Sequence, residues 1–396
     1  MQRTAVYTIA SKNYLAHVRT LLASVSRYHP QFDRFLILVD EPEECFSLEE
    51  EPYEVIRARD LDIPRYEGFS FKYDILELNT AVKPYALQQL FGRGYDQVLY
   101  FDPDILLFAP LAPVLEALDG HAVVLTPHMT SPLPEGDDKH PDEHHIMTVG
   151  AYNLGFAAFA RTGGTERLAQ WWCRKCYNGC YREPEAGLFV DQKWADLVPA
   201  LFDSVCILRH AGCNVAYWNL HERRLDGGTV NGHVPLIFYH FSGLRTDDLD
   251  SVSGYQNRVR LADRPDITPL FTDYRQKLMA NGYEQCRHWG YAYGCYRNGV
   301  VIGHMARRLY PLVEDRFADP FGVGKGTYYR LLQRRGLREK TTDVKALSTG
   351  EKAAKMTMVN ALLRLTKLLI GVDQFRKLMN YLRRVSVVRN QGFLMR

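Results

Sequence analysis

Two aspartates one residue apart, Asp102-Pro103-Asp104, close the apolar run Gln97-Val98-Leu99-Tyr100-Phe101. Paired carboxylates at that point suit a hard divalent cation. Mg2+ and Mn2+ take oxygen ligands and keep positions open for water and phosphate oxygens. Alone the pair is a weak signal, because Asp and Pro are turn formers and a solvated turn has the same composition. Three more polar interruptions of apolar runs stand beside it: His240 in Tyr239-His240-Phe241-Ser242-Gly243, the pair Asp191-Gln192, and Asn153 in Ala151-Tyr152-Asn153-Leu154-Gly155-Phe156. A histidine in an apolar strand is ordinarily a satisfied core residue, and Asp191 could simply cap the helical turn Gln192–Ala195.

The elements that must carry these residues alternate. Residues 4–10 read as a buried strand, 14–28 as a helix with Leu15, Val18, Leu21, Leu22 and Val25 on one face, and 35–39 as a strand covered on both faces. Strand, helix, strand within 40 residues is a βαβ unit and predicts a mostly parallel, doubly wound sheet. A helix is predicted over 79–91, followed by the strand that ends on Asp102. In open α/β sheets ligands bind beyond the carboxyl ends of strands, which is where Asp102 and Asp104 fall. Residues 126–145, rich in Pro, Gly, Asp and His, read as a long mobile loop. Its His140, His144 and His145 with Asp137, Asp138 and Glu143 could hold a metal, but a solvated loop is the stronger reading. Past residue 251 the alternation stops. The expected division is a catalytic domain over 1–250, a mixed helical and loop extension over 251–345, and a basic amphipathic helical tail over 346–396, opened by a capping box from Ser348 to Glu351.

The chain has 396 residues, 46% hydrophobic and 24% charged, which excludes a disordered or low-complexity protein. No run of apolar residues is long enough to span a bilayer, and no secretory signal is evident at the start. Residues 320–396 hold 17 Lys+Arg against 4 Asp+Glu, a net of +13; the whole chain is +3, so the preceding residues are net −10. A basic tail on an acidic body suits an anionic surface, a membrane or a nucleic acid. Eight cysteines make no disulfide framework. Cys173, Cys176 and Cys180, with Cys206, His210 or Cys213 as a fourth ligand, could form a zinc site, but buried free thiols on a Trp-rich helix are the simpler reading.

In their order and spacing these motifs resemble the nucleotide-diphospho-sugar glycosyltransferases of the GT-A fold, most closely the retaining family that includes glycogenin and the lipopolysaccharide galactosyltransferases. The resemblance runs over about 60% of the chain. It is carried by Ala10-Ser11-x-Asn13-Tyr14, Lys83, Tyr100-x-Asp102-x-Asp104, Asn153-x-Gly155, Asp191-Gln192 and His240-Phe241-x-Gly243. Stretches such as G-L-F-V-D-Q-K-W-A-D-L-V-P and G-C-N-V-A-Y-W-N-L-H-E-R resemble a group of bacterial glycosyltransferases. The resemblance implies an α/β GT-A fold, with a mostly parallel Rossmann-like sheet, helices on both faces and a mainly helical C-terminal extension. It implies one Mn2+ or Mg2+ on Asp102, Asp104 and His240, a nucleotide lined by Ala10, Ser11 and Asn13, donor contacts from Lys83, Asn153 and Gly243, and Asp191 and Gln192 near the anomeric carbon or the acceptor. The family's diphosphate lysine, six residues after the histidine, is Thr246 here, and the neighbouring Arg245 is the expected substitute.

The expected reaction is transfer of a hexose from a nucleotide diphosphate sugar, a UDP-sugar first among them, to a glycan or lipid-linked acceptor in bacterial envelope polysaccharide synthesis. Retention is expected, since no aspartate is marked as an inverting base. The expected place is cytoplasmic and peripheral on the inner membrane face through the tail, with a homodimer through the same apolar stripe as its rival use and no nucleic-acid partner. Two other classes remain: a nucleotidyltransferase, disfavoured because Ser11-Lys12-Asn13 has no glycine, and a non-catalytic nucleic-acid-binding protein.

Overall fold

The strand β1 (Thr4–Ala10) is buried at every residue, as its uninterrupted apolar and small side chains require. It forms the middle of a seven-stranded sheet in a computed structural model that describes residues 2–337 and 349–395. The sheet contains β1, β2 (Asp33–Leu38), β3 (Glu54–Arg57), β4 (Gln97–Phe101), β6 (Val123–Pro127), β7 (Tyr152–Ala160) and β10 (Val205–Ile207), in the order β10-β6-β7-β4-β1-β2-β3. All neighbours run parallel except β7, which is antiparallel to both β4 and β6. The predicted α/β class and mostly parallel sheet are therefore observed. Because β2 lies on one side of β1 and β4 on the other, the strand order reverses there, and in such sheets ligands bind beyond the carboxyl ends of the strands at that point.

The remaining strands are short. β5 (Ile105–Leu107) pairs with β14 (Phe238–His240) in a two-stranded ladder outside the main sheet; β8 (Arg182–Glu183) pairs with β9 (Leu188–Phe189); and β11 (Leu225–Asp226), β12 (Thr229–Val230) and β13 (Val234–Pro235) form a small ribbon. The helix Leu15–Tyr28 turns Leu15, Val18, Leu21, Leu22 and Val25 inward, into a core shared with Leu36, Leu99, Phe101, Phe156 and Phe238. The helix expected over 79–91 is two helices, Ile75–Ala81 and Lys83–Gly92. Pro84 has no N–H to continue the first, so the chain restarts with proline in the first turn of the second.

Contacts divide the chain into two units. One comprises Met1–Pro64 and Ile75–Ala292; the other comprises Arg65–Asp74 and Tyr293–Arg396. The second holds an aromatic core of Phe71, Tyr296, Tyr310, Phe321 and Tyr328, against which the buried Arg307 guanidinium donates to the carbonyls of Phe71, Tyr73 and Tyr293. It also carries the helix Thr349–Ser386, kinked at Gly371. Ser348, and with it the expected capping box, and the boundary between 345 and 346 lie outside the described residues.

The segment 126–145 departs from the mobile loop that its composition suggests. Arg258 holds Asp137 through two N–H···O bonds of 2.8 Å and donates to Pro141 O at 2.6 Å, while His140 N donates to Asn257 Oδ1 at 2.7 Å. Glu222 accepts from Thr130 N and Oγ1, and the segment ends in the helix Glu143–Val149, capped by Asp142. Removing the fork should release it. In Arg258→Ala we expect limited proteolysis to cut between residues 130 and 142 about tenfold faster than in the wild type, with the remainder of the first unit protected.

Candidate functional site

Three rungs of ladder bring the widely separated ligand candidates together. In β5 and β14 the paired residues are Phe238 with Leu107, Tyr239 with Leu106 and His240 with Ile105. His240 therefore arrives opposite the residue that follows Asp104. Asp102 is fixed by its N–H to Gly155 O at 2.7 Å, and Asp104 O accepts from Phe241 N at 2.9 Å. His240 Nε2 lies 3.0 Å from Asp104 Oδ1 and 3.7 Å from Asp102 Oδ2. Among the described residues, these three form the group of His, Cys, Asp and Glu side chains whose ligand atoms converge as a metal site requires, all within 4.8 Å of one another. Two hard carboxylate oxygens and one imidazole nitrogen are a donor set that fits Mn2+ or Mg2+.

The electrostatics are those of charges withdrawn from water. Burial pushes Asp102 above the ordinary carboxylate range, against the opposing charges of Lys83 and His240. Asp104, like Asp102, is half-buried, and its interaction with His240 outweighs the burial and holds it below that range. For His240, burial favours the neutral ring, and the charge and hydrogen bond of Asp104 reverse this and raise it. Asp104 also faces the first turn of the helix Leu15–Tyr28, where Tyr14 stacks on His17 at 4.4 Å and burial lowers His17 to about 4.

A second buried group adjoins the first. Lys83 Nζ is 2.7 Å from Asp191 Oδ2, donates to Leu154 O at 2.9 Å and lies 4.2 Å from the centre of the Tyr100 ring. Tyr100 in turn donates to Asp102 Oδ1 at 2.5 Å. Asp191 stands at the N-terminus of the short helix Gln192–Ala195 but makes no capping bond. Its partner is Lys83, so capping does not account for it. Breaking such a buried pair from one side costs about 3–5 kcal/mol.

Other candidates take up distinct places. Asn153 is buried among His240, Gln192, Asn214 and His128. Gln192 accepts from Leu154 N and donates to Val149 O. Ala10 and Ser11 are buried at the end of β1, with Ser11 Oγ donating to Asn13 Oδ1 at 2.8 Å. Gly243 has φ +69, and Arg245 is exposed with its guanidinium laid over Gly254, where a Cβ would meet Nε at 2.8 Å. Cys173, Cys176 and Cys180 are buried free thiols, Cys173 donating to Gln88 Oε1.

Sequence reasoning gave no role to His17, His128, Asn214 or Trp218. Asn214 and Trp218 lie in G-C-N-V-A-Y-W-N-L-H-E-R, which was legible as a resemblance but not as chemistry. Lys12 was also passed over. It is buried, 2.9 Å from Glu43 and 3.6 Å from Asp40.

No protein-family model matches the chain. It is 25% identical over 278 residues to the uncharacterized protein YfnF of Bacillus subtilis (strain 168), covering 68% of this chain and 91% of that protein. To YfnD of the same organism, also uncharacterized, it is 24% identical over 280 residues, covering 67% and 86%. Similar solved structures include the galactosyltransferase LgtC with donor and acceptor sugar analogues, at 15% identity and a TM-score of 0.40 over 69% of this chain and 95% of that one. Another is the glycosyltransferase GlyE of Streptococcus pneumoniae TIGR4, at 14% identity and a TM-score of 0.39 over 75% and 67%.

The closest backbone approach in the site is at Gly155, where a Cβ would sit 2.3 Å from His240 Cε1. Gly155→Ala must displace the imidazole. We expect a loss of about 1–3 kcal/mol in urea denaturation, against no change for Gly120→Ala, where a Cβ meets nothing within 4 Å.

Proposed function

We propose that the chain is a metal-dependent glycosyltransferase that moves a hexose from a nucleotide diphosphate sugar to a glycan or lipid-linked acceptor, with retention, in bacterial envelope polysaccharide synthesis. The observation that carries the reading is the convergence of Asp102, Asp104 and His240 within 4.8 Å beyond the carboxyl end of β4. These are the residues, in the order, that the sequence resemblance assigns to the metal. A bound Mn2+ or Mg2+ would supply the positive charge that stabilises the departing nucleoside diphosphate.

The chain's own residues divide the remaining work. Asp102, Asp104 and His240 hold the ion. Ala10, Ser11 and Asn13, at the end of β1, take the nucleotide. Arg245 offers an exposed guanidinium five residues after His240, suited to phosphate oxygens. Asp191 and Gln192 serve the transfer step. In support of this, Asp191 is linked to Asp102 through Lys83 and Tyr100, so that charge at one carboxylate is felt at the other. The nucleotidyltransferase alternative asks for a free basic loop after β1, and Lys12 is instead paired with Glu43 and Asp40.

The tail supports a finer reading, attachment to an anionic membrane surface. Leu362, Leu365, Leu368 and Leu369 are 52–77% exposed on the helix Thr349–Ser386, which also carries the exposed Arg364 and Lys367. Among the described residues no helix is long and apolar enough to cross a membrane. Such a segment lies in the headgroup region, and each basic residue near an anionic leaflet adds about 1 kcal/mol.

Two tests follow. Asp104→Ala should lower turnover about a hundredfold or more and abolish the Mn2+-dependent thermal shift with nucleotide diphosphate sugars. UDP-, GDP- and dTDP-sugars are compared, with a CMP-sugar as the monophosphate control. An unchanged shift overturns the metal assignment. For the tail, the full chain should float with anionic vesicles at low salt and leave them at high salt. Leu368→Glu with Leu369→Glu should prevent flotation without changing the oligomeric state, whereas a loss of dimer in that variant would assign the stripe to self-association.

A further inference from the structure

The hydrogen bonds of Asn153 lead to the metal site, and we propose that it is the positioning residue of the metal-binding imidazole. Its side-chain carbonyl accepts from Nδ1–H of His240 and so turns Nε2 toward Asp102 and Asp104, the direction in which it would hold a metal. This assignment rests on the metal-dependent reading above.

The hydrogen-bond network fixes each atom in turn. Gly155 N–H, which can only donate, is 3.1 Å from one side-chain atom of Asn153, so that atom is the oxygen, Oδ1. Asn214 Nδ2 donates to the same oxygen at 3.1 Å. The third group on it, at 3.2 Å, is His240 Nδ1. Two acceptors cannot share that approach, so Nδ1 carries a proton, and Nε2 is the nitrogen turned to the carboxylates, 3.0 Å from Asp104.

The other end of the amide agrees. Gln192 Oε1 accepts from the backbone N–H of Leu154 at 3.0 Å, so it is an oxygen, and Asn153 Nδ2 lies 3.4 Å from it. His128 Nδ1 faces Ala151 O at 3.4 Å, which places its proton there and leaves Nε2 to accept from Asn153 Nδ2 at 3.4 Å. Every polar atom of the Asn153 side chain is thus engaged inside the protein, and the residue is 7% exposed. Gly155 completes the seat, because any Cβ there would strike the ring, and Trp218 closes its other side, edge to face at 5.2 Å. Asn153 and Gly155 thus act together on one imidazole. Metal-bound histidines depend on such an outer hydrogen bond, whose loss typically weakens metal binding about 10–100-fold.

The test measures Mn2+ affinity by titration calorimetry on the full chain, with thermal melting alongside. Asn153→Ala should bind Mn2+ about 10–100-fold more weakly. Asn153→Asp, which keeps an oxygen toward Nδ1–H, should stay within about threefold of the wild type. A purely structural role would lower the melting temperature of Asn153→Ala and leave the affinity of its folded form unchanged, and that result overturns the proposal. If Asn153→Ala does not fold, the wild type decides. In metal-free protein with 15N-labelled histidine, the His240 ring should carry a proton on Nδ1, and a bare Nδ1 overturns the assignment. A wild type that binds no Mn2+ removes the metal reading and the assignment with it. A wild type whose Mn2+ binding is lost in Asp104→Ala but kept in Asn153→Ala removes the assignment alone.

Discussion

The site depends on the register of a three-rung ladder. His240 reaches the carboxylates because β14 pairs with β5 so that His240 opposes Ile105. A slip of one residue would send its side chain to the opposite face. Three rungs alone hold register weakly, and the side chains supply what the hydrogen bonds lack. Phe238 packs on one side, at 5.4 Å from Phe101 and 5.0 Å from Phe156, in the core beneath the main sheet. Tyr239 and Phe241 pack on the other, against Phe271 and Tyr274, with Phe241 stacked on Tyr274 at 3.8 Å. The strand is anchored in two separate apolar clusters, and both would have to open for the register to change.

That anchoring matters because the ladder delivers charge into a place that disfavours it. Asp102 and Asp104 sit together with His240, and Asp191 lies beyond Lys83. Like charges brought together out of water resist ionisation, and the structure sets two basic side chains among the three carboxylates. His240 answers Asp104, and Lys83 answers Asp191 while its charge also reaches Asp102. A divalent ion held by Asp102, Asp104 and His240 would add the positive charge that these carboxylates lack.

Much of this was legible in the sequence. Alternating strands and helices give the parallel sheet, and apolar runs ending on Asp102 or interrupted by His240 mark residues whose polarity is out of place. The course of residues 126–145 was not legible. Composition reports the solvation of a segment and says nothing of its anchors, and here these are distant in sequence: Arg258, 121 residues beyond Asp137, with Asn257 and Glu222. The break at Val82 was available in principle, since Pro84 forbids a continuous helix, but the apolar spacing across 79–91 conceals it.

The role of Asn153 shows where such reading stops. A motif names residue types at fixed spacing, and Asn153-x-Gly155 is satisfied equally by an amide that meets a ligand and by one that holds a neighbour. What separates the two is the state of the amide's own donors and acceptors. Those are set by His128, Gln192, Asn214 and His240, which come from a strand end, a short helix, a loop and a second ladder. No spacing links these positions. Only the fold does, and it does so through backbone groups whose polarity is unambiguous, the N–H of Gly155 and the N–H of Leu154. From those two fixed donors the orientation of the Asn153 and Gln192 amides follows, and with it the proton on Nδ1 of His240 and the nitrogen that faces Asp102 and Asp104.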